Sequence, residues 1–132
     1  MSVNIMYRQL DANVDQSSLT ADTTLTYSDS EKTILLDAVG EAITLPAPKA
    51  GIRYKFLVTA AVITSAWVIT ATGAIIYGSV TEAGLVQLAS AETAITIVHT
   101  KAIQGDWFTL ESDGTNWYVA GQLSVAASFT TA

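Results

Sequence analysis

The run Gly105-Asp106-Trp107-Phe108-Thr109-Leu110-Glu111-Ser112-Asp113-Gly114-Thr115-Asn116-Trp117-Tyr118-Val119 constrains this chain more than any other. Apolar and polar residues alternate on both sides of Asp113-Gly114, a dipeptide strongly preferred in tight hairpin turns. A two-residue turn places Leu110 opposite Trp117, Phe108 opposite Val119 and Trp107 opposite Ala120. On the other face it sets Thr109 against Tyr118 and Glu111 against Asn116. Phe108, Leu110, Trp117 and Val119 then share one apolar face, while Trp107 and Tyr118 lie on the reverse. Side chains alternate with period two, so turn, register and pattern agree.

The rest of the chain carries similar short runs. Thr24-Leu25-Thr26-Tyr27, Lys32–Asp37 and Ala42–Leu45 read as strands, the last stopped by Pro46-Ala47-Pro48, where amide donors are missing. In Ile52–Val58, Tyr54, Phe56 and Val58 point inward and Arg53 and Lys55 outward. Ser65–Thr70, Ala74–Gly78 and Ala94–His99 add further strands. Ser79–Glu92 lacks clean alternation and reads as a long loop with a short helix near Leu85–Leu88. No dozen-residue crossover helix is legible, which argues against parallel pairing. The expected fold class is all-β: one small antiparallel β-sandwich or barrel of about 8–10 short strands with extended terminal arms. Its parts are an N-terminal arm over 1–19, a β-domain over 20–122 and a C-terminal strand or arm over 123–132.

Composition narrows the function. The chain has 132 residues, enough for one domain, with 50% hydrophobic and only 14% charged residues. Globular domains carry about 25% charged residues. Thr, Ser and Ala replace the missing charges, which suits a surface partly covered by sister copies; a trimer or similar ring is the expected state. Net charge is −6 and the six basic residues are scattered, so no basic patch is present to grip nucleic acid directly. Met1–Leu10 lacks the basic start and apolar core of a signal peptide. The apolar stretch Phe56–Ile76 is broken by Thr, Ser and Gly and reads as buried strands, so no membrane partner is expected.

Chemistry-bearing residues are sparse. The chain has no cysteine, excluding disulfides and thiolate ligands, and a single histidine, His99. No nucleophile elbow and no phosphate-cradling glycine pattern occurs. Asp106, Glu111 and Asp113 lie close in sequence, but Asp113 belongs to a turn and Glu111 to a polar face. Asp11, Asp15 and Asp22 lack calcium-loop spacing. No catalytic residue, metal or cofactor is expected, and the chain is read as not an enzyme. Trp107 fits an interface anchor, a second core layer or a sugar platform.

Thr33–Ala38, Ile43–Phe56, Gly105-Asp106-Trp107 and Ser112–Val119 together resemble small β-rich virion proteins of tailed bacteriophages, namely capsid decoration (cement) proteins and modules of head or tail fibres. The resemblance implies a homotrimer on the exterior of the capsid, with the major capsid protein as partner. A terminal arm would reach the shell, with Ile5, Tyr7, Arg8 and Leu10 as its contact residues. Trp107, Tyr118 and Phe129 would form the subunit interface. A fibre or surface adhesin module binding host glycan is the alternative.

Overall fold

A computed structural model of the chain describes residues 16–19, 21–37, 39–60 and 65–132. Among these, twelve strands form two sheets around one core, with a single 3-10 turn at Tyr27–Asp29. The strands are β1 (Gln16–Ser18), β2 (Thr23–Thr24), β3 (Thr33–Leu36), β4 (Ala42–Thr44), β5 (Arg53–Val58) and β6 (Trp67–Thr70). They continue as β7 (Ile76–Glu82), β8 (Leu85–Glu92), β9 (Ala94–Ile97), β10 (Trp107–Ser112), β11 (Trp117–Leu123) and β12 (Phe129–Thr131). The seven-stranded sheet runs β1-β3-β5-β10-β11-β7-β8 and the five-stranded sheet β12-β9-β6-β4-β2.

The all-β expectation holds, but the sheets are mixed, not purely antiparallel. From β1 to β6 the chain alternates between sheets, so β1, β3 and β5 pair parallel in one and β2, β4 and β6 in the other. Parallel neighbours need a long crossover, yet that crossover need not be a helix. Here each one is a strand of the opposite sheet. Short strands with turn signals every ten residues look the same in sequence whether the chain doubles back or winds.

The winding aligns like residues. Thr23 pairs with Ile43 and Ile43 with Ile69, while Thr24, Thr44 and Thr70 fall in one register. The next residues, Leu25, Leu45 and Ala71, are all buried and each donates its N–H to the adjoining threonine carbonyl at 2.9 Å, from Thr44, Thr70 and Thr93 respectively. Each turn of chain thus repeats a solvent-side threonine and a core-side apolar residue. Tyr27, expected to close a strand, instead enters the 3-10 turn, where the Asp29 carboxylate accepts the Thr26 N–H at 2.9 Å.

The core joins both sheets. Tyr54 stacks on Trp117 at 5.8 Å and Phe56 on Phe108 at 4.7 Å, with Trp67, Ile69, Ile95 and Ile97 opposite. The Tyr54 hydroxyl donates to the Thr26 carbonyl at 2.7 Å, satisfying its polar end inside an apolar layer. Burial also pushes its pKa up to about 12. Gly78, on β7 beside Val119, has φ +124°, and an added Cβ would meet the Val119 carbonyl oxygen at 2.2 Å. Only glycine fits there.

Two local expectations are corrected. β10 and β11 pair Ser112 with Trp117, Leu110 with Val119 and Trp107 with Gln122, closing a four-residue loop in place of a two-residue turn. The Asp113 carboxylate accepts the N–H groups of Thr115 and Asn116, each at 2.9 Å, which commits the backbone to the wider loop. The slip is an even number of residues, so every side chain keeps its face. The second correction concerns Ser79–Glu92, which is a hairpin of β7 and β8 with no helix. Its turn is Ala83-Gly84, with φ of 51° and 81°, the backbone a two-residue hairpin turn requires. Alanine at the first position hides that turn from the sequence.

The described parts of both terminal segments are built into the sheets. β1 lies within the 1–19 segment and β12 within 123–132, and β12 pairs antiparallel with β9. Met1–Asp15 lies outside the described residues.

Candidate functional site

The accessible chemistry of the chain lies on its surfaces, because the buried carboxylates serve the fold. Asp106 is buried where β10 begins; its carboxylate accepts the Ile103 N–H at 3.0 Å and the Ser124 hydroxyl at 2.7 Å. Glu82, buried at the end of β7, accepts the Ala127 N–H and, at 2.8 Å, that of Phe129. It ties the seven-stranded sheet to β12. Sequence reasoning missed both struts, since a lone carboxylate flanking a strand carries no mark of burial. His99 follows β9 and is half-buried. Among the described residues no group of three or more His, Asp or Glu could hold a metal ion, and no helix is long and apolar enough to cross a membrane.

The outer face of the seven-stranded sheet is the first surface. Strand pairing lines up Ser18, Leu35, Leu57, Trp107, Gln122, Thr81 and Val86 as one row across it. The row holds no charge. Trp107 is 37% exposed, and the Lys55 ammonium lies 5.6 Å from its ring centroid. Such a cation over an indole face is a modest attraction at an exposed site.

Tyr118, 42% exposed, sits on the same face but in another row, opposite Glu111 and stacked on Tyr77 at 6.2 Å. Four strand residues separate the rows, roughly 13 Å. Its hydroxyl donates to Asp113 at 2.9 Å. The Asn116 and Thr115 amides and this hydroxyl hold the Asp113 carboxyl below its ordinary range. The same hydrogen bond raises the Tyr118 pKa. Between the rows, a depression of about 230 Å³ is lined by Glu31, Thr33, Arg53, Lys55 and Thr109. Arg53 donates to Glu31 at 3.2 Å across it, so the outward basic pair is partly spent on an internal ion pair.

The second surface is β8. Leu85, Val86 and Leu88 are 67%, 66% and 69% exposed, the most exposed large apolar side chains described. β8 is the edge of its sheet, bonded to β7 alone. Leu85 and Gln87 pair with the buried Glu82 and Val80 and so point to the core side, yet both are exposed. Val86 and Leu88 point outward. Toward the Ala83-Gly84 turn the strand therefore overhangs the narrower five-stranded sheet, bare on both faces. Among the described residues nothing covers it there, and this is why its sequence does not alternate.

The proposed site residues fall into three groups. Trp107 and Tyr118 share the outer face, as the pattern requires. Phe129 pairs with Ile97 and is buried in the core, because Glu82 and β9 draw β12 into the five-stranded sheet; it offers no surface to a subunit interface. Ile5, Tyr7, Arg8 and Leu10 lie outside the described residues. Compared with known proteins, the chain matches no family model, no curated protein and no solved structure.

Proposed function

We propose that this protein is a non-enzymatic structural component of a tailed-phage virion, bound to the exterior of the assembled capsid, where it ties major capsid subunits together. One observation carries the reading: a broad sheet face whose uncharged row leads from half-buried Leu35 and Leu57 to exposed Trp107 and Val86, two apolar groups that no described residue covers. The resemblance of Thr33–Ala38, Ile43–Phe56, Gly105–Trp107 and Ser112–Val119 to decoration proteins supports the same reading. A protein that binds only the assembled shell stabilises that state by mass action, with no chemistry. Copies joined as a homo-oligomer, a trimer by the same resemblance, gain further through multivalent attachment. The 1–15 segment is the proposed arm, since Gln16–Ser18 belongs to the sheet.

Electron microscopy of particles that contain this chain tests the placement. Density for it repeated over the capsid exterior is the expected result; density confined to a tail or fibre would overturn it. The depression beside Trp107, lined by Arg53, Lys55 and Thr109, favours a second reading as a glycan-binding adhesin module. Saturable binding to bacterial polysaccharide, abolished by Trp107→Ala, would select that reading.

A further inference from the structure

We propose that the exposed edge of β8 is a homotypic docking strand, pairing antiparallel with β8 of a second copy about a two-fold axis at Gln87. An edge strand presents a row of unpaired N–H and C=O groups, and proteins that must stay apart blunt such edges with lysine, proline or bulges. From Ile76 to Glu92 this chain has no Lys, Arg or Pro, and its only acids are Glu82 and Glu92. Glu82 is turned inward onto the Ala127 and Phe129 amides. The register shift opposite Ile76 and Gly78, with Ala91 at φ 61°, ends the regular edge at one side, and the Ala83-Gly84 turn ends it at the other. Leu85–Ala89 remains as an open, uncharged strand.

The identity of the partner follows from charge and from register. A chain of net charge −6 repels its own copies except where charge is absent, and Ala83–Ala91 carries none. The same stretch offers a foreign protein no ion to recognise. A two-fold axis perpendicular to the sheet keeps each side chain on its own face, so residues pair with residues of the same face. Centred on Gln87, Val86 meets Leu88 of the other copy on the outer face, twice. On the core side Leu85 meets Ala89, and the Gln87 amides meet each other, where donor and acceptor are both present. Apolar groups therefore match apolar groups along the whole open run. This contact stands apart from the capsid reading: with a three-fold ring it links rings edge to edge, and without one it makes a dimer.

A cysteine-free chain makes the test clean. Directly opposed residues of antiparallel strands have Cα atoms about 4.5–5.5 Å apart, within disulfide range. Gln87→Cys should therefore form a disulfide with its own copy under mild oxidation, doubling the mass on a non-reducing gel. Leu85→Cys should stay monomeric on the same gel, because its own copy lies roughly four residues away, about 13 Å. Cross-linking of both variants, or of neither, overturns the proposal; the latter is the result expected if another molecule occupies the edge. Unaltered circular dichroism of the reduced variants shows that they fold. In the native chain, the outward amides of Leu85–Ala89 should gain hydrogen-exchange protection as protein concentration rises, and concentration-independent exchange would equally overturn it.

Discussion

The two hairpins of the seven-stranded sheet are close in length and opposite in legibility. β10–β11 sits in the middle, covered on one face by the core, and its residues alternate between buried and exposed almost without exception. β7–β8 sits at the edge, and the outer strand of that pair is exposed on both faces over most of its length. The difference teaches that alternation records a neighbour. A strand covered on one side writes it into the sequence; a strand bare on both sides does not. Turn chemistry diverges in the same way. Asp113 spends its carboxylate on the loop, whereas Ala83 adopts a left-handed φ with no side-chain support.

Leucine truncation should separate the hairpins most. Leu110→Ala opens a void beside Tyr54 and Val119 and should cost about 2–5 kcal/mol. Leu88→Ala should fall within about 0.5 kcal/mol at high dilution. Urea unfolding of both variants measures this, and equal losses would erase the contrast between a covered and an uncovered strand.

The Asp113 loop should give a smaller, pH-dependent effect. Its carboxyl pKa is depressed in the folded state by the Asn116 and Thr115 amides. The stabilisation is therefore fully present above the ordinary carboxylate pKa and is lost as pH falls through the folded value. Asp113→Asn should lower the melting temperature at neutral pH and flatten the part of the acid limb that belongs to this residue. A variant curve parallel to the native one down to low pH would show that the loop amides are held by something else.

The smallest change should come from repairing the other turn. Ala83→Asn supplies the Asn-Gly dipeptide that tolerates positive φ at both positions and should stabilise the hairpin by about 0.5 kcal/mol. A loss in melting temperature instead would mean that Ala83 is held in its conformation by packing, not tolerated there.

Several elements are legible in the amino-acid order alone. The inward set of β5, the apolar face of the β10–β11 hairpin and the outward placement of Trp107 and Tyr118 follow from period-two side-chain geometry, and survive even a two-residue slip in register. Phe129 was not legible, because one aromatic in a short tail rich in Ala, Ser and Thr does not reveal whether its strand has a partner. The β8 surface was missed for the related reason that an exposed apolar strand resembles a loop.

By itself, then, the amino-acid order determined an all-β domain and which residues of its best strands face inward, since those depend on interactions between near neighbours. Whether strands pair parallel or antiparallel, which edge is left open, and that Glu82 and Asp106 are buried were decided only by the tertiary structure. These outcomes depend on where the chain returns after crossing to the opposite sheet, and residues far apart in sequence set that path by the core they share.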